Sequence, residues 1–83
     1  MIKTISLKIL QNLEIKTLDV EWIKIKTADE NGELYIYPGH ENIVVNASEY
    51  IVFKIAKQNE QTLQTGTQES IFVLENNSAV LIC

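Results

Sequence analysis

The chain has 83 residues and a net charge of −4, from eleven acidic residues against seven lysines and no arginine. That length makes one small domain, 1–83, burying only somewhat more than ~60% of the surface its unfolded chain exposes. The charge excludes the clustered basic patch that nucleic acid or an anionic membrane surface requires, and the lack of arginine excludes bidentate recognition of phosphate.

One histidine and one cysteine, Cys83, supply neither an intrachain disulfide nor a usual metal-ligand set, so no cofactor or metal is expected. With no staple of its own, such a domain gains most from a partner surface. The opening MIKTISLKILQ has no continuous apolar core of signal-peptide length, and no run of ~18 apolar residues follows, so no membrane insertion is expected and the cytoplasm is the expected compartment. The Asn-x-Ser sequons at Asn46 and Asn76 are then chance matches.

Hydrophobic period two runs through most of the chain. Ile5, Leu7 and Ile9 alternate with Thr4, Ser6 and Lys8, and after a turn at Gln11-Asn12, Leu13 and Ile15 alternate with Glu14 and Lys16. A second turn is expected at Thr17 to Asp19. From Val20 to Lys26 the apolar set then switches register between Trp22 and Ile23. Two readings follow: a β-bulge that lets Val20, Ile23 and Ile25 all face the core and turns Trp22 outward, or Trp22 in the core with Ile23 on the second face. The second, plainer reading is the one expected.

Asp29 to Gly32 marks a hairpin turn with Asn31-Gly32 at its tip. Its acids do not make a calcium loop, because position 38, where the bidentate Glu would stand, is Pro38. Leu34 and Ile36 on one face and Tyr35 and Tyr37 on the other make a short strand that stops at Pro38-Gly39. Proline pre-sets φ near −65° and glycine accepts positive φ, so a type II turn is expected, holding His40 out at the strand end. Turns follow at Asn46 to Glu49, Gln58 to Gln61 and Thr65 to Gln68, separated by strands carrying Ile51, Phe53 and Ile55 and then Ile71 and Val73. Asn76-Asn77 predicts a two-residue hairpin before the closing run Ala79 to Cys83. Eight turns imply nine or ten short strands, an all-β sandwich or barrel with almost no helix.

The inventory for catalysis is thin. His40 has no nearby cysteine and no carboxylate beside it except Glu41, so no nucleophile, base and orienter assemble. It reads either as an exposed turn histidine or as a partner contact. Three glycines at 32, 39 and 66 make no phosphate-cradling loop. Tyr35, Tyr37, Tyr50 and Trp22 form either an outward patch suited to an interface or ordinary packing of a second sheet.

Taken whole, Gly32 to His40, reading GELYIYPGH, resembles the signature loop of the epsilon subunit of F-type ATP synthases, a Gly-Glu-[aliphatic]-Gly-[aliphatic]-x-Pro-Gly-His segment. The stretches Leu7 to Leu10, Val20 to Ile25, Val52 to Ile55 and Ile71 to Cys83 fall at distances similar to that family's strands. The resemblance implies the family's amino-terminal domain, an antiparallel sandwich or flattened barrel of about ten strands in two sheets, without the carboxy-terminal helical hairpin. It implies a non-catalytic rotor subunit with the gamma subunit as partner and the membrane rotor ring, or an equivalent component, below. Gly32, Glu33, Tyr35, Tyr37, Pro38, Gly39 and His40 would make the partner interface, Glu33 facing the ring and His40 the gamma stalk. Tyr35 stands where the family has glycine, and Asn42 where it has proline. The competing expectations are a divergent ATPase complex serving another task and a free-standing β-sandwich module for a ligand or peptide.

Overall fold

The computed structural model describes residues 3–27 and 32–83, and the side chains of all of these except 65–69. Six strands follow in chain order: β1 Ile5–Gln11, β2 Glu14–Thr27, β3 Glu33–Ile36, β4 Ile43–Ile55, β5 Glu60–Glu75 and β6 Ser78–Ile82. No helix occurs among the described residues, and the chain is all-β.

Strand order β1-β6-β5-β4-β2, with β1 and β2 also paired, closes a five-stranded barrel, and β3 adds to its outside along β2. The expected all-antiparallel pairing therefore fails at one place, where β1 and β6 run parallel. Arithmetic requires it: directions cannot alternate around a ring with an odd number of strands.

The expectation of about ten strands in two separate sheets gives way to six for a definite reason. Three of the expected turns lie inside continuous strands. Thr17 to Asp19 is the middle of β2, Asn46 to Glu49 lies within β4, and the Thr65 to Gln68 backbone lies within β5. Thr17 and Asp19 are exposed while Val20 is fully buried, so the polar residues that resemble a turn are the solvent face of a strand. At Asn46 to Glu49 the β4–β5 register slips on both sides of Glu49, whose φ is +68°. This is a bulge that bends β4 without ending it. The true turns fall at Asn12-Leu13, Pro38-Gly39, Ala56 to Gln58 and Asn76-Asn77. The expected Asp29 to Gly32 turn has its tip outside the described residues.

Because β2, β4 and β5 are long, each serves two parts of the barrel. Their pairing defines one wall of β4 (43–47), β5 (70–75), β6, β1 and β2 (14–20). A second wall holds β3, β2 (22–27), β4 (50–55) and β5 (60–64). Between them lies the core, centred on Ile5, Leu7, Ile23, Ile25, Ile36, Ile51, Phe53, Phe72, Leu74 and Leu81.

The two readings of Trp22 are resolved against the plainer one. Val20 pairs with Ile55 and Trp22 with Lys54, leaving Glu21 as the extra residue of a bulge. Val20, Ile23 and Ile25 are all fully buried, and Trp22 is half-buried on the outer face. The bulge wins because it seats three aliphatic side chains in the core in exchange for one indole kept at the surface.

Candidate functional site

The Gly32–His40 segment starts on the second wall and ends beside the first. Its opening residue is held where the Thr27 N–H donates to the Gly32 carbonyl at 3.3 Å. β3 then pairs with β2 in the register Lys26↔Glu33, Ile25↔Leu34, Lys24↔Tyr35 and Ile23↔Ile36. Its alternation sends Ile36 into the core and leaves Glu33, Tyr35 and Tyr37 exposed. Among the described residues β3 pairs along one edge, with β2, and Pro38 stops it from lengthening.

Glu33 and Tyr35 sit in a charged, aromatic surface. The Glu33 carboxylate lies 3.2 Å from the Lys24 ammonium and accepts a hydrogen bond from the Tyr50 hydroxyl at 3.2 Å. Lys24 Nζ also lies 5.9 Å from the centre of the Tyr35 ring, within cation–π range. Lys26 pairs with Glu49 at 2.8 Å, and Lys54 pairs with Glu21 of the bulge. Trp22, Tyr35, Tyr37 and Tyr50 are all at least partly exposed on this wall, which agrees with the outward-patch reading. Lys24 and Lys26 went unremarked in the sequence because their role depends on which strand lies beside β2.

These pairs shift the groups involved. The hydrogen bond from Lys54 holds the Glu21 carboxyl below its ordinary value, against an opposing effect of burial. Hydrogen bonds to Glu33 and Glu49 raise Lys24 and Lys26, respectively, above the usual lysine value. The signs follow from linkage. Glu21 contributes stability that is present above the unfolded value near ~4.3 and lost as pH falls through its lower folded value. The two lysines contribute stability that is present below ~10.4 and lost as pH rises through their higher folded values. Thermal melts from neutral to acid pH should therefore show a smaller acid loss in Glu21→Gln than in the unsubstituted chain.

Pro38 and Gly39 make the expected turn. Gly39 has φ +89°, and the His40 N–H donates to the Tyr37 carbonyl at 3.1 Å, the closing bond of a type II turn. The turn is tied to the β5–β6 hairpin by two crossed hydrogen bonds. The Gly39 N–H donates to Asn77 Oδ1 at 2.8 Å, and the Asn76 N–H donates to Asn42 Oδ1 at 2.9 Å. Asn42 and Asn77 are thus the residues that fix the turn. Asn76 and Asn77 have φ +51° and +61°, the left-handed pair of a type I′ hairpin.

His40 is half-buried, with Nδ1 2.8 Å from the Glu41 carbonyl oxygen. A carbonyl only accepts, so Nδ1 carries the proton, and in the neutral ring Nε2 is left as an acceptor. Among the described residues no carboxylate orients this ring. Glu33 and His40, grouped by the resemblance, lie at opposite ends of the segment.

The two glycines differ in what they do. Gly39 needs its positive φ, whereas Gly32 has an ordinary backbone, and a Cβ built there meets nothing within 4 Å. Gly39→Ala is expected to lower stability by about 1–2 kcal/mol, the cost of a left-handed L-residue. Gly32→Ala is expected to be neutral or stabilising by up to about 1 kcal/mol. Urea titration of the two variants checks this.

A cleft at one mouth of the barrel has Ile9, Phe53 and Leu63 on its floor and Gln11, Glu14, Lys16 and Gln61 at its rim. Its volume is about 280 Å³. That falls just under the ~300–1,000 Å³ of ordinary ligand sites. The Gly32–His40 surface is the better candidate. No family model and no curated protein matches the chain.

Proposed function

We propose that the chain is a non-catalytic central-stalk subunit of an F-type or F-type-like rotary ATPase. It docks on a gamma-type subunit and couples it to the component below, at the cytoplasmic periphery of a membrane complex. The observation that carries this reading is the turn from Tyr37 to His40. The Pro-Gly-His of the signature is there a type II turn with its glycine at positive φ, pinned to the next hairpin by Asn42 and Asn77. A loop fixed at both sides presents His40 at little entropic cost on binding.

The Glu33 carboxylate is engaged by Lys24 and Tyr50, so a lower partner meets a paired acid and not a free one. Contact there exchanges one ion pair for another and favours a partner that brings a cation. The divergent-complex reading is supported by Tyr35, whose ring stands exposed where the family's glycine leaves space.

The test is affinity purification of the tagged chain from its own cell in mild detergent. The expected result is recovery of a coiled-coil stalk protein with the catalytic subunits of an ATPase. Recovery of the folded chain with neither of them overturns the proposal.

A further inference from the structure

The strands of the first wall are apolar on both faces, which solvent-facing antiparallel strands are not. In β5, Phe72 and Leu74 fill the core while Ile71 and Val73 point outward; in β6, Ala79 and Leu81 point in while Val80 and Ile82 point out. The register aligns these outward residues into two adjoining rows. One runs Val44, Val73, Val80, Lys8, and the other Asn46, Ile71, Ile82, Leu10, Ile15. Val44 is 70% exposed, Ile15 69%, and Ile71 and Ile82 45% each. The ion pairs among the described residues all lie on the other wall. A contiguous apolar block of this kind on a small barrel is a surface made to be covered.

Three charges border the block. Lys8 stands on β1, and Glu75 on β5 and Asp19 on β2 share the next outward row; all three are exposed, and none joins an ion pair within the described residues. β6 lies between those strands. A two-fold axis running along β6 lays each copy's β1 over the other copy's β5. That operation sets Val80 on Val80 and Ile82 on Ile82 and lays Lys8 of each copy on Val73 of the other, one outward position from Glu75, twice. The apolar rows, and Lys8 beside Glu75, repeat on both sides of that axis, as an isologous interface requires.

We propose that this wall is a self-association surface and that its occupant is a second copy of the chain. The inference is independent of the rotor reading. It predicts only that the chain, free of other proteins, pairs through the β5–β6–β1 wall.

Sedimentation equilibrium of the purified chain from about 1 μM to about 1 mM tests it, the range in which a weak to moderate dimer declares itself. The expected result is a mass that rises to that of a dimer. Val80→Lys should hold the chain monomeric while its thermal melt stays cooperative. Lys8→Glu should raise the dimer dissociation constant at least about tenfold through like charges at two symmetric contacts, and Lys8→Glu combined with Glu75→Lys should restore it. A mass that stays monomeric throughout overturns the proposal and assigns the wall to a different protein. A dimer that ignores both the charge reversal and its restoration overturns it equally, because pairing then uses another surface.

Discussion

Substituting His40→Asp is expected to leave the isolated barrel nearly unchanged and to weaken binding to the stalk by about 2–5 kcal/mol, roughly thirtyfold to several thousandfold in affinity. The first half follows from position. His40 sits in a surface turn, half-buried, and its ring bonds only to its neighbour's carbonyl, so a change there moves stability by about 0.5 kcal/mol or less. The second half follows from desolvation: docking would strip water from a carboxylate standing in place of the imidazole. His40→Asn, which keeps a side-chain donor, should bind more nearly like the unsubstituted chain. Glu33→Lys should spare the stalk, since its side chain lies at the other end of the segment on the second wall. Thermal melts and pull-downs with a gamma-type subunit measure both halves. Unaltered stalk binding by His40→Asp would mean that this residue faces no partner.

Ile23→Ala should cost about 2–5 kcal/mol, the range for removing a fully buried isoleucine from a packed core. A domain of this length has only ~4–12 kcal/mol in total, so much of its stability would go. Trp22→Ala, next in sequence and far larger in volume lost, should cost less, about 1–2 kcal/mol, because the indole lies on the outer face and leaves no cavity in the core. The order of the two is the signature of the bulge at Glu21: a regular strand would reverse it. Chemical denaturation of both variants decides between them.

How far the fold was legible depended on whether a signal was local. Asn76-Asn77 and Pro38-Gly39 named their turns because the left-handed backbone each needs is a property of those residues. The alternation of Ile5, Leu7 and Ile9, and of Ile51 and Phe53, gave the correct inward faces. The alternation at Leu13 and Ile15 marks no core face, since the hairpin at Asn12-Leu13 pairs Gln11 with Glu14 and leaves Glu14, Ile15 and Lys16 all exposed. Leu13 is left wholly exposed at the tip. Ile71 and Val73 were visible as a strand, but in a run apolar on both sides periodicity does not say which face is core. Of the candidate site, the turn and the aromatic face could be read. The Lys24–Glu33 pair and the Asn42 and Asn77 clamps were not legible, because they join residues whose neighbourhood is set by β2–β3 pairing and by the docking of the Pro38-Gly39 turn on the β5–β6 hairpin.

The parallel seam between β1 and β6 has a consequence for how the barrel is made. Ser6 must find Ser78 and Leu10 must find Ile82, almost the whole chain apart. Contacts of such separation are closed late, after the entropy of a long loop has been lost. During synthesis, β1 and β2 emerge early as a hairpin that exposes one bare edge of β1 and its core-facing Ile5, Leu7 and Ile9. That edge stays open to foreign strands until β6 has emerged and paired, so the nascent domain is most exposed to aggregation before β6 docks.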